Sequence, residues 1–289
     1  MSPRRNARAI TPRAPAHRPS TRGRTRALGQ HFLRDRSVAD RIVELVAPGP
    51  RDLVVEIGPG RGALTDALAA RSGRLLAIEI DAPLIEGLRE RFAPTPHVEI
   101  RQADARRFDY GALQGLRPDP AGRVLVVGNL PYSAGKPILV SLIETGSAID
   151  EMALMLQREV AERVAAEPGS KTYGALSVLT QVAARVRLAF TVPPGAFNPP
   201  PQVESAVLHL TPYRQPPLPV ANPARFAAVV RAAFGQRRKS LANALAAGLG
   251  LGAERTRNLA MQAGIDPGRR AETLSLAEFA RLAQLADSP

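Results

Sequence analysis

Residues 53–62 read Leu53-Val54-Val55-Glu56-Ile57-Gly58-Pro59-Gly60-Arg61-Gly62. A short apolar run that breaks into spaced glycines is the signature of a buried strand turning into a helix. Glycine at such a turn lets the backbone approach a ligand closely and aims its amide N–H groups at it. The spacing is G-x-G-x-G, not the G-x-G-x-x-G of dinucleotide binders. Glu56 stands at the mouth of this loop, where its carboxylate repels a pyrophosphate and attracts a cationic amino-acid group. S-adenosylmethionine carries a sulfonium and an ammonium and no phosphate, so it is the expected cofactor, with Gly58 and Gly60 in its site.

Outward from this stretch, short apolar runs alternate with helical patterns. Strands are expected at 53–57, 75–80, 98–102, 124–128 and 152–156, and helices at 63–70 and 84–92. Ser37 is the expected cap of an earlier helix carrying Val38, Ile42, Leu45 and Val46 on one face. Strands alternating with helices imply a parallel sheet covered on both faces. Past residue 170 a helix at 175–184 precedes strands at 187–192 and 205–210, the pair separated by a loop with five prolines between 193 and 201. From about 214 prolines mark a linker, and only helical patterns follow, at 223–233, 239–246, 254–263 and 276–285. The expected division is a tail at 1–26, an α/β domain at 27–213 and a helical domain at 214–289.

Two strand ends carry acids in register with the glycine loop. Glu79 closes the second strand, where a carboxylate can accept from both ribose hydroxyls of a nucleoside. Asp104 follows the third strand and can accept from an adenine amino group, with the Ala105 N–H donating to a ring nitrogen. The fourth strand delivers Asn129-Leu130-Pro131-Tyr132 to the same sheet edge. An exocyclic amine on a base is a poor nucleophile, because its lone pair is delocalised into the ring. It needs acceptors that bind its N–H groups and hold the lone pair in line with a methyl donor. The Asn129 side-chain carbonyl and the Leu130 backbone carbonyl can serve, Pro131 stiffens the turn, and the Tyr132 ring can stack on an extruded base. Phe197, on the proline-rich loop, is the candidate second aromatic of the sandwich.

Composition narrows the classes further. The chain has 289 residues, no Cys and 4 His, which leaves no disulfide framework, thiolate centre or His pair at zinc spacing. No metal is expected. No apolar run approaches the ~18–20 residues of a membrane span. The net charge is +13, almost all of it from Arg, since Lys occurs only at 136, 171 and 239. Such a surplus of fixed cations points to a polyanionic partner. Eight of the positive charges lie in residues 1–26, with no acid and four prolines. That stretch reads as a disordered basic arm, or as the product of a start codon placed upstream of the true one.

Taken together, the glycine loop, Asn129–Tyr132, Phe197 with Pro199–Pro201, and Val203-Glu204-Ser205-Ala206-Val207 resemble the ribosomal RNA adenine N6-dimethyltransferases. Leu28–Leu33, Leu156–Val160, Ser170–Gly174, Phe234–Lys239 and the stretch from Asp266 to Leu276 bring the resemblance closer to the members acting on small-subunit rRNA. It spans residues 27–286. It implies a Rossmann-like methyltransferase sheet, mostly parallel with one antiparallel strand, and a small C-terminal all-helical domain. It implies SAM-dependent N6,N6-dimethylation of two adjacent adenines in the 3′-terminal hairpin loop of 16S rRNA, on an assembling small ribosomal subunit in the cytoplasm. By position, His31 and Leu33 would line the cofactor site with Gly58, Glu79, Asp104 and Asn129. Arg237, Arg238 and Lys239 would meet rRNA phosphates. Nothing in the sequence demands a dimer, so a monomer is expected. After Tyr132 the family has a polar–aliphatic–Ser/Thr run before Pro, whereas this chain has Ser133-Ala134-Gly135-Lys136-Pro137, expected to make the loop more mobile and more basic. The alternatives are a resistance-type dimethyltransferase of large-subunit rRNA, a ribosome-assembly factor without catalysis, and a DNA adenine methyltransferase.

Overall fold

The computed structural model describes residues 30–287. The basic arm expected at 1–26 lies outside them. A two-residue strand β1 (Phe32–Leu33) leads into helix α1 (Arg36–Val46), followed by β2 (Leu53–Ile57), α2 (Ala63–Ala69), β3 (Arg74–Glu79), α3 (Ala82–Phe92) and β4 (Val98–Gln102). Then come β5 (Val124–Asn129), α4 (Gly135–Glu144), β6 (Glu151–Gln157), α5 (Arg158–Val164), α6 (Ala175–Ala183), β7 (Ala184–Val192), β8 (Phe197–Asn198) and β9 (Ser205–Pro212). Four helices close the chain: α7 (Pro223–Gly235), α8 (Leu241–Leu249), α9 (Ala253–Gln262) and α10 (Leu276–Asp287).

Seven strands form one sheet in the order β4-β3-β2-β5-β6-β9-β7. All pairings from β4 to β6 are parallel, and β9 runs antiparallel to both neighbours. The chain starts at the centre, winds out to β4, then returns to β5 beside β2. This places the topological switch between β2 and β5, where open α/β sheets bind ligands at the carboxyl ends of their strands.

Successive side chains of a strand point to opposite faces, and the central strands divide their apolar residues accordingly. Val54, Leu75, Leu125, Val127 and Met155 face Ile42 and Val43 of α1 and Leu64 and Leu68 of α2. Val55, Leu76, Val126 and Leu154 pack on the other face with Leu139 and Leu142 of α4 and Val164 of α5. Removing one such leucine to alanine costs ~2–5 kcal/mol.

One local expectation is corrected. Asp35, not Ser37, caps α1: its carboxylate accepts from the Ser37 and Val38 amides at 2.9 and 3.4 Å and from the Ser37 hydroxyl at 2.7 Å. The helical cluster also reaches across the linker. Ala166, Tyr173 and Val178 share a core with Phe226, Leu245, Ile265 and Phe279, so the segment before β7 packs with the C-terminal helices. Among the described residues no helix is long and apolar enough to cross a membrane.

Candidate active site

A cleft opens at the carboxyl ends of β2, β3 and β5. The glycine loop forms its floor. Gly58 and Gly60 adopt φ of +68° and +57°, a left-handed conformation that side chains oppose. A Cβ on Gly60 would lie 2.8 Å from the Phe32 ring, so only glycine admits β1 over the loop. Glu79 is nearly fully buried beneath the same cleft. Its Oε1 accepts from the Ile80 and Asp81 amides at 2.8 and 3.0 Å, and its Oε2 from the Gly60 amide at 3.3 Å. Burial pushes its carboxyl up, opposed by these three donors. Glu79 thus braces the glycine loop as well as facing the cleft, a role that nothing in the local sequence announces.

Glu56 is 1% exposed, and neither carboxylate oxygen has a hydrogen-bond partner, nor does the Thr65 hydroxyl. It lines a smaller pocket with Leu33, Gly58, Gly60, Arg61 and Asn129. Desolvation in this apolar setting raises its carboxyl from 4.5 to about 8, opposed by the neighbouring Thr65 hydroxyl and reinforced by the Glu79 and Asp66 charges. A buried acid without a partner is costly. A cationic ammonium is the group that satisfies it, so the residues fit S-adenosylmethionine.

The tetrapeptide sits where β5 ends. The Leu130 amide donates to the Met155 carbonyl at 3.0 Å, and the Pro131 carbonyl accepts from the Ala134 and Gly135 amides at 3.0 and 2.7 Å, turning the chain into α4. Gly135 is buried, and a Cβ there would lie 2.6 Å from Leu156 Cδ2. The glycine therefore permits close packing of α4 on β6, which is not the loosening expected of it; Lys136 is exposed. Over the tetrapeptide lies a strap from the N-terminal side. β1 pairs antiparallel with β8, Leu33 opposite Phe197. The Asn129 amide nitrogen donates to the His31 carbonyl at 2.9 Å. His31 Nδ1 meets the Pro199 carbonyl at 2.9 Å, and its ring lies 5.2 Å from that of Tyr132.

His31, Gly58, Gly60, Glu79, Asp104, Ala105 and Asn129 through Tyr132 all converge on the main cleft. Leu33 lines the smaller pocket beside Glu56. Asp104 is chelated by Arg106 at distances of 2.6–3.1 Å, and this guanidinium holds its carboxyl at about 2. Phe197 lies apart: it is 1% exposed and packed in the core with Leu33, Val192 and Val207. Arg237 pairs with Glu272 at 3.2 Å and donates to the Lys171 carbonyl, while Arg238 and Lys239 stand exposed. The strap residue Phe32, which falls within the Leu28–Leu33 stretch, and the chelating Arg106 also line the cleft, and the sequence carries no pattern that marks Arg106.

The ribosomal RNA adenine dimethylase family model matches residues 22–288. The chain is 45% identical over 281 residues, covering 97% of it and 96% of the relative, to "Ribosomal RNA small subunit methyltransferase A" of Chromohalobacter salexigens. It is 44% identical to the protein of the same name in Geobacter metallireducens, over 90% of this chain and 94% of that one. Among solved structures, the 23S rRNA methyltransferase ErmE is 26% identical over 89% of this chain and all of its own, with a TM-score of 0.65. A dimethyladenosine transferase from Plasmodium falciparum shares the fold at a TM-score of 0.73, over 87% of this chain and 96% of its own. The match runs from the strap through the glycine loop and the tetrapeptide to the last helix, and by it the chain belongs to the ribosomal RNA adenine dimethylase family of SAM-dependent methyltransferases.

Proposed function

We propose that this enzyme dimethylates N6 of two adjacent adenines in the 3′-terminal hairpin loop of 16S rRNA, acting as a cytoplasmic monomer on an assembling small subunit. The observation that carries the reading is Asn129, held by the strap at the junction of the two pockets. S-adenosylmethionine supplies a methyl group on a positively charged sulfur. Glu56 offers the counter-charge for its ammonium, and Glu79 accepts from its ribose. For Asp104 to accept from the adenine amino group, the Arg106 chelate must share the carboxylate.

Because the Asn129 nitrogen is committed to the His31 carbonyl, its Oδ1 is the acceptor left for the target amine. With the Leu130 carbonyl it takes both amine hydrogens in the first transfer, and the one that remains in the second, and turns the lone pair toward the donor methyl. No strong base is needed, since the methylated amine is acidic enough to lose its proton to solvent. Tyr132 gives the base a stacking face. Phe197 completes a sandwich only if the loop carrying it moves on RNA binding. Arg238 and Lys239, both exposed, are the cations this reading assigns to phosphates.

The reading is tested by offering labelled S-adenosylmethionine with under-methylated small subunits, large subunits and DNA side by side, and mapping the product by primer extension. Label near the 3′ end of small-subunit rRNA supports it. Label on large subunits selects the resistance-type alternative, and label on DNA refutes an RNA substrate.

A further inference from the structure

Ser205 opens β9 and is fully buried, 0% exposed. It precedes Ala206, Val207 and Leu208, all in the apolar core. A hydroxyl at such a position is costly unless it is paired. Its partner is Tyr132: the two hydroxyl oxygens lie 2.8 Å apart. The backbone of Ser205 is itself held from both sides, opposite Gln157 on β6 and Val192 on β7. It is therefore a fixed point in the sheet. Tyr132 lines the cleft and Ser205 does not. The Tyr132 ring is further bounded by His31, at a tilt of 37° between the two planes.

We propose that Ser205 is a positioning residue: it pins the tip of Tyr132 and thereby sets the plane in which the target adenine stacks. The inference rests on the reading of Tyr132 as the stacking face. A ring free to swing about its χ angles would still offer apolar area to a base. It would no longer hold the exocyclic nitrogen within the ~3–3.5 Å and the alignment that transfer requires, where a ~1 Å displacement can cost ~10²-fold. Ser205 therefore acts on turnover and not on cofactor binding, since its hydroxyl reaches only Tyr132 and it lines neither pocket.

The test compares Ser205→Ala, Tyr132→Phe, the double variant and Tyr132→Ala in single-turnover methyl transfer, with cofactor affinity measured separately by calorimetry. Ser205→Ala and Tyr132→Phe each remove one end of the same bond. Each is expected to slow transfer ~10-fold, with the cofactor Kd within about 2-fold of wild type, and the double variant is expected to be no slower than the slower single one. Multiplicative losses in the double variant, or wild-type rates in Tyr132→Phe, overturn the inference. A parallel loss of cofactor affinity in the single variants also overturns it, since that marks a general structural defect. Tyr132→Phe alters a half-buried ring and keeps the test valid should Ser205→Ala not fold. If Tyr132→Ala transfers at the wild-type rate, the stacking reading itself fails; if it is slow while Tyr132→Phe and Ser205→Ala are not, only the role of Ser205 falls.

Discussion

The Asn129 side-chain nitrogen donates to the backbone carbonyl of His31 across 2.9 Å, joining the end of β5 to a strap 98 residues earlier in the chain. An amide has one donor end and one acceptor end, so this bond decides which atom is left for a substrate.

Asn129→Ala removes the acceptor, and methyl transfer is expected to fall ~10²-fold or more while cofactor binding weakens only modestly. Asn129→Asp is the sharper variant. A carboxylate keeps acceptor oxygens but cannot donate to His31, so a loss of comparable size is expected. Single-turnover rates decide this; an Asp variant near the wild-type rate would mean that the strap does not orient the side chain.

Glu56 makes a prediction in pH. Its carboxyl in the fold is raised to about 8 from 4.5 by burial. The folded chain therefore keeps a proton that the unfolded chain gives up. Stability of the cofactor-free protein is highest below the unfolded value and is lost as pH rises toward 8, by up to about 1.4 kcal/mol per pH unit from this group. Glu56→Gln abolishes that component and weakens binding of the cationic cofactor. Urea denaturation at about pH 6 and about pH 8, both within the window of that loss, measures its slope; an identical pH trend in the variant contradicts the assignment.

Glu79→Ala should weaken cofactor binding at least ~10-fold, because it removes a ribose acceptor and also the carboxylate that holds the Gly60 amide. Calorimetric titration reads this directly. Unchanged affinity refutes the ribose role.

The basic run at 237–239 should split by function. Arg237 is engaged with Glu272 and Lys171, so Arg237→Ala should lower the melting temperature and leave the salt dependence of subunit binding nearly unaltered. Charge reversal at Arg238 and Lys239 should leave the melting temperature alone and reduce the salt slope by about 1 for each phosphate that is no longer neutralised. The opposite pattern would place Arg237 on the RNA.

Much of the fold and the site is legible in the sequence because the signals are local. The apolar run before Gly58, the acids at two strand ends and the tetrapeptide at a fourth are properties of short windows, and the sheet order places them on one edge. What the sequence does not show depends on pairing between distant segments. The strap over Gly60 needs β1 to pair with β8, two strands of two residues each, too short to carry a periodic pattern. Phe197 reads as a free aromatic on a proline-rich loop, yet that same pairing buries it against Leu33. Ser37 is a capping residue by type, but Asp35 sets the helix start because its carboxylate reaches both first-turn amides. Arg237 reads as one of three equal cations, and only the fold shows Glu272 beside it.

The central claim is that the pocket around Asn129 transfers methyl groups to adenine in rRNA. The most direct measurement digests under-methylated small subunits to nucleosides after incubation with the wild-type enzyme or Asn129→Ala and S-adenosylmethionine, and counts N6,N6-dimethyladenosine by mass spectrometry. The account predicts two dimethyladenosines per subunit with the wild-type enzyme, at adjacent positions, and next to none with the variant. Equal product from both, or none from a wild-type enzyme that binds the cofactor, would contradict it.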